Sequence, residues 1–270
     1  MHYIFGLAKT EKVYYNSPLV IIIHNYPMTY IKRDITIGSI VHVLNRGVEG
    51  RDIFLEDRDR FRFIHDLYAF NDANFSGDID YIVKKDPFLL DSSVFARPKI
   101  RPKIEKKPRK LLVDILAFCL MLNHYHLLLR ARDNDGITKF IKRLNMGYAK
   151  YFNEKYKRSG ALFQGRYKSI TITNEAHFVF IPYYIHLNPL DLVTPEWRER
   201  KIYNLKKAIQ FLETYRWSSH LDYSGKNNFP LVTNRDFLLG FFGSARQYKE
   251  GVYEWLKDLD LESIKKQSLE

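Results

Sequence analysis

Residues 111–130 constrain the fold of this chain more than any other stretch. They are strongly apolar, interrupted by Asp114 and broken at Met121-Leu122-Asn123, so they predict two strands of one core, the second opening with His124 and His126. The longest apolar runs, residues 19–23 and 111–122, fall well short of the roughly 20 residues that a membrane-spanning helix needs. A water-facing fold built around a sheet is therefore expected.

The segments around that pair fill in the fold. Ile35, Ile37, Ile40, Val41 and Val43 form a β-rich stretch that ends in the turn signal Asn45-Arg46-Gly47. Residues 57–70 place Phe61, Ile64, His65 and Leu67-Tyr68 at helical spacing behind an acidic entry. Residues 137–156 carry Ile137, Phe140-Ile141, Leu144, Tyr148 and Tyr151-Phe152 on one helical face, with Lys139, Lys142, Arg143, Lys150 and Lys155 on the other. Residues 167–173 alternate as a half-buried strand, Asn174 can cap a helix running to Asn188, and Pro189 stops it. Pro182 lies inside that helix and should kink it or shift its start by a turn. The order strand, helix, strand, strand, helix, strand, helix predicts an α+β domain, an antiparallel sheet with helices packed on one face.

Three regions lie outside this pattern. Residues 1–27 read as an N-terminal extension of unknown role, with no secretory leader, ahead of a domain at 28–190. Residues 71–110 form a basic, proline-containing insertion; its last fourteen positions hold three prolines and eight Lys or Arg. Residues 191–270 read as a helical region, with segments at 205–214 and 237–256.

Composition limits the chemistry. Lys and Arg number 43 against 31 acidic residues, a formal charge of +12, which favours a polyanionic partner such as nucleic acid. One cysteine, Cys119, excludes a disulfide framework and any zinc site of several thiolates. Cytoplasm is the default location. No glycine loop with Lys and Ser/Thr for a nucleotide phosphate, no His-Glu-x-x-His and no serine elbow is found, so no nucleotide cofactor is expected.

Two short elements can carry chemistry. His124 and His126 share one face of a strand and could bind one metal, or could be a satisfied structural pair. Tyr184 and Asn188 stand four apart and project from one face of a helix, or pack a helix end. Lys139, Lys142, Arg143 and Lys150, with Arg166 and Lys168, could track phosphates, and Tyr148, Tyr151, Phe163 and Tyr167 could stack bases or lie in the core.

Taken in order, Asn45-Arg46-Gly47, Asn123-His124-Tyr125-His126-Leu127-Leu128-Leu129, Tyr148-Ala149-Lys150-Tyr151-Phe152-Asn153, Leu162-Phe163-Gln164-Gly165-Arg166-Tyr167-Lys168-Ser169, Tyr184 to Pro189 and Trp217-Ser218-Ser219 resemble the single-tyrosine HUH transposases, close to the REP-associated ones. The resemblance implies a ferredoxin-like, RRM-like fold. It implies His124, His126 and Asn188 as ligands of Mg²⁺ or Mn²⁺, and Tyr184 as the nucleophile that forms a 5′-phosphotyrosine. It implies single-stranded or hairpin DNA as substrate, with Gln164, Arg166 and Lys168 among its contacts; a homodimer is compatible with it. Tyr183 is the rival nucleophile, but only Tyr184 lies four before Asn188. The alternatives are a nucleic-acid-binding module of the same fold that has lost or repurposed cleavage, and a metal phosphodiesterase that uses water.

Overall fold

The computed structural model describes residues 35–75, 108–199 and 201–267. The expected N-terminal extension and most of the basic insertion lie outside the described residues.

Strand β1 (Ile40–Arg46) leads through a short 3₁₀ turn to helix α1 (Asp57–Ala69). Strands β2 (Val113–Leu120) and β3 (His124–Ala131) follow, then α2 (Gly136–Lys155), β4 (Lys168–Thr171) and α3 (Glu175–Leu187). The remainder is helical: α4 (Leu205–Leu212), α5 (His220–Tyr223), α6 (Arg235–Phe242) and α7 (Ala245–Gln267). No described helix is long and apolar enough to cross a membrane. The four strands form one antiparallel sheet in the order β2-β3-β1-β4, which is the expected α+β class.

Side-chain alternation divides the sheet into two faces. Tyr125, Leu127, Leu129 and Ala131 of β3, with Val41 and Val43 of β1, join Phe63, Ile64 and Leu67 of α1 and Phe140, Ile141, Leu144 and Tyr148 of α2 in the main core. His124, His126 and Leu128, with His42 and Leu44, therefore project from the opposite face. In β2 the register shifts between Ile115 and Ala117. That bulge lets Val113 and Ile115 before it, and Phe118 and Leu120 after it, all reach the same core. The hydroxyl of Tyr223 donates to the carbonyl of Leu116 at the bulge, 2.6 Å away.

Helices α1 and α2 cover the core face, as the helical periodicity predicts. Helix α3 packs against β2 and β3 from the other face, burying Ile181 and Ile185. Its N-cap is Asn174, whose side chain accepts from the amide of His177 at 2.7 Å. Pro182 is accommodated inside a helix that begins at Glu175, so the start is not displaced.

The C-terminal region is tied into the domain rather than hung from it. The amide of Leu120 donates to the carbonyl of Trp217 (2.9 Å) and that of Ser219 to the carbonyl of Phe118 (3.0 Å), so this segment lines the outer edge of β2. Trp217, Phe229 and Val232 enter the main core. The expected helix at 237–256 is two helices, because Gly243 at φ 88° ends α6 in a conformation that suits glycine.

Gly136 opens α2 against the preceding chain: a Cβ there would lie 2.2 Å from the carbonyl oxygen of Leu112. Gly136→Ala should therefore lower stability by about 1–3 kcal/mol, read as a lower urea midpoint. Gly240→Ala, on α6 with nothing within 4 Å of the new methyl, should raise it by up to about 1 kcal/mol.

Candidate active site

Three imidazoles meet on the sheet face that α3 covers. His124 and His126 lie two apart on β3, with ring centroids 5.0 Å apart. His42, on β1, hydrogen-bonds through Nε2 to Nδ1 of His126 at 2.9 Å, and their rings stack. Nδ1 of His124 lies 2.7 Å from Oδ1 of Asn123, whose Nδ2 donates to the carbonyl of Gly50 at 3.0 Å. The amide oxygen can only accept, so His124 carries its proton on Nδ1. Both imidazoles of β3 thus have Nδ1 engaged, which leaves Nε2 as the nitrogen able to coordinate a metal.

Burial keeps all three rings neutral. It lowers His42 to about 3, with nearby His177 adding to the effect. It lowers His124 to about 4, where Arg46 and Arg198 assist and Asp191 opposes. His126 falls well below its usual value, through burial and then its neighbours His124, His42 and Arg198. A neutral imidazole is the ligand form.

Tyr184 of α3 approaches edge-on, its ring centroid 5.9 Å from that of His126 and 6.2 Å from that of His42. Asn188 directs Nδ2 to the carbonyl of Tyr184 (2.7 Å) and Oδ1 to Nη2 of Arg198 (2.8 Å). Arg198 also donates from Nη1 to the Tyr184 hydroxyl at 3.2 Å and is gripped by Asp191 at 2.6 and 2.7 Å. Of the four residues predicted for catalysis and metal binding, His124, His126 and Tyr184 thus gather on one face, and Asn188 joins them through the Tyr184 carbonyl and the Arg198 guanidinium. Two neutral imidazoles and an amide oxygen are a donor set that can hold a divalent metal ion and leave positions for water. Among the described residues no group of three or more His, Cys, Asp or Glu side chains is arranged to hold a metal ion, so a site here would depend on the Asn188 oxygen as well as the imidazoles.

Tyr183 points elsewhere. Its ring stacks on Tyr248 at 5.8 Å and packs against Phe242, beside Gly251 of α7.

The predicted DNA contacts divide into two groups. Lys139, Lys142, Arg143 and Lys150 stand on α2, across the sheet from the imidazoles; Lys139 and Lys150 face Asp135 and Glu154, and Arg143 donates to the carbonyl of Asp72 at 2.9 Å. Gln164, Arg166 and Lys168 are exposed between α2 and β4. Lys168 pairs with Leu44, and Leu44 with His126, so Lys168 shares the site face. Tyr148 and Phe163 belong to the core, and the Tyr151 hydroxyl donates to Asp59 at 3.0 Å.

Sequence reasoning missed His42, Arg46, Asp191 and Arg198. Arg46 pairs with His124 across β1 and β3 and brings another cation to the same face. A polar ring between Val41 and Val43 was a usable signal for His42, because alternation aims it away from the core. Nothing local marks Arg198, which reaches the site from a 3₁₀ turn at Pro195–Glu199.

The family model described as "Transposase IS200 like" matches residues 89–188, a segment that includes His124, His126, Tyr184 and Asn188. Over that segment, a little over a third of its length, the chain is similar to the IS200-like transposases. Members of that family are DNA transposases. A solved structure, described as that of the REP associates tyrosine transposase bound to a REP hairpin, aligns with a TM-score of 0.42 at 12% identity, covering 76% of this chain and 89% of that one. No curated protein matches the chain.

One further cluster anchors α3. Nε2 of His186 lies 2.7 Å from Oγ of Ser219, its Nδ1 lies 2.7 Å from the Tyr248 hydroxyl, and that hydroxyl lies 2.8 Å from Nδ1 of His220. Burial lowers His220 to about 4 and His186 well below its usual value. In the unfolded chain each of these rings titrates near 6.5, so between the two values the unfolded state binds more protons. The stability contributed by His42, His126, His186 and His220 is fully present above about pH 6.5 and is lost progressively as the pH falls below it, at up to about 1.4 kcal/mol per unit for each ring. The urea midpoint should drop clearly between pH 7.5 and pH 5; equal midpoints would show that the rings take up protons without unfolding the protein.

Proposed function

We propose that this chain is a transposase that cuts and rejoins single-stranded DNA at a hairpin or palindrome, with Tyr184 as nucleophile and a divalent metal, Mg²⁺ or Mn²⁺, held by His124, His126 and Asn188. The observation that carries the reading is the approach of one phenol to two neutral imidazoles, with ring centroids of Tyr184 and His126 5.9 Å apart and those of His126 and His124 5.0 Å apart. The metal would supply Lewis-acid polarisation of the scissile phosphate.

The chain's own residues account for the remaining steps. The phenol oxygen of Tyr184 attacks phosphorus, the bond from phosphorus to the 3′ oxygen breaks, and the departing 3′ oxygen ends with the proton the phenol gives up. A 5′-phosphotyrosine and a 3′ hydroxyl result; attack by a 3′ hydroxyl on that ester reverses the exchange and frees Tyr184. One phosphodiester is traded for another, so no nucleotide is consumed. Lys168, Arg166 and Arg46 would steer the backbone across the site face. The cations of α2 stand on the other side of the sheet and would act on a more distant part of the DNA.

Incubation with Mn²⁺ and a 3′-labelled hairpin built from inverted repeats beside the gene should yield a protein–DNA adduct on a denaturing gel. Tyr184→Phe should abolish the adduct and spare DNA binding, whereas Tyr183→Phe should retain it. An adduct that survives Tyr184→Phe would move the nucleophile; cleavage without any adduct would favour a phosphodiesterase using water.

His124→Ala should cost metal-stimulated cleavage. His42→Ala removes the hydrogen bond that orients His126 and should weaken Mn²⁺ binding by about 10-fold, measured by titration calorimetry. Unchanged affinity would make the contact between His42 and His126 a packing feature alone.

A further inference from the structure

Arg198 is placed more specifically than a general DNA contact requires. A guanidinium has five N–H donors. Nε donates to Oδ1 of Asp191 (2.7 Å), and Nη2 donates to Oδ2 of Asp191 (2.6 Å) and to Oδ1 of Asn188 (2.8 Å). One N–H of Nη1 reaches the hydroxyl of Tyr184 at 3.2 Å. Asp191 is itself held by Nε1 of Trp197 at 2.7 Å, and the guanidinium lies over the Trp197 ring, 4.9 Å from its centroid. Four donors are therefore committed. The fifth, the second N–H of Nη1, has no partner among the described residues. It shares a nitrogen with the donor that touches the phenol oxygen.

Any phosphate attacked by that phenol oxygen must bring its phosphorus to roughly 3–3.5 Å from it. Its non-bridging oxygens then fall within reach of the remaining N–H. The side chain is a quarter exposed, so the guanidinium can be approached from solvent.

We propose that Arg198 is a catalytic residue of the cleavage reaction, binding a non-bridging oxygen of the scissile phosphate while Nη1 holds the Tyr184 oxygen in line, with Asp191 as its positioning residue. The inference rests on the proposed phosphotyrosine chemistry. Negative charge accumulates on the non-bridging oxygens as the Tyr184 oxygen approaches phosphorus, and a fixed guanidinium meets that charge without reorganising. Arg198 remains protonated throughout and moves no proton; the balance of the step is the one given above. A lysine in its place would keep the charge but lose the fork that holds Asp191, Asn188 and the phenol at once.

The test is single-turnover adduct formation by the full chain with Mn²⁺ and the 3′-labelled hairpin, alongside hairpin affinity from a gel shift and a thermal melt of each variant. Arg198→Ala should slow adduct formation by about 100- to 1,000-fold, with a much smaller change in hairpin affinity, and added guanidinium ion should restore part of the rate. Arg198→Lys should fall between the two. It should melt like the wild type, so it carries the test if the alanine variant does not fold. Asp191→Asn should slow adduct formation less than Arg198→Ala. Adduct formation at the wild-type rate in a folded Arg198→Ala or Arg198→Lys protein overturns the inference. So does a loss matched by an equal loss of hairpin affinity without guanidinium rescue, which would make Arg198 a phosphate tether only. In either case a wild-type adduct that disappears in Tyr184→Phe leaves the parent reading intact. A wild-type protein that forms no adduct overturns both.

Discussion

The period of two along β3 is the constraint on which this molecule depends. Tyr125, Leu127 and Leu129 go to the core, and His124 and His126 go to the opposite face, where α3 meets them. A slip of one residue in the pairing of β3 with β1 would send the imidazoles into the apolar interior and expose the leucines. Several features hold the register: pairing on both sides of β3, the bulge at Leu116, and the Tyr223 hydroxyl that takes up the bulge carbonyl. The site inherits its geometry from the same alternation that builds the core.

The polar side of the sheet is assembled in layers. Asn123 and His42 fix the β3 imidazoles, burial keeps them uncharged, and the nearest full charges belong to Arg46, Arg198 and Asp191. Neutral imidazoles beside fixed cations form a setting that favours an incoming anion. Because the ion pair of Arg198 and Asp191 is partly open to solvent, its value lies in orientation more than in stability.

Much of this was legible in the sequence because periodicity reports burial. The strands at 113–120 and 124–131 and helices α1, α2 and α3 follow from where the apolar residues recur, and Asn174 caps α3 as expected. The grouping of His124, His126, Tyr184 and Asn188 followed from motif order. The cations of α2 show the limit of such reading. The polar stripe of an amphipathic helix faces away from the sheet it packs on, so it cannot border a site on the sheet's other face. Arg198 was invisible for a different reason: it arrives from a short 3₁₀ turn whose position depends on tertiary packing, and no local pattern marks it. The break at Gly243 was missed because the apolar residues of α6 and α7 keep nearly helical spacing across it.

Helix α3 is held on both flanks, by the sheet through Ile181 and Ile185 and by α7 through Tyr183 and the chain of hydrogen bonds from Ser219 through His186 and Tyr248 to His220. The approach of the phenol to the imidazoles is therefore set from both flanks of α3 at once. A disturbance of α7 would thus reach Tyr184 through the helix it braces, without touching the sheet.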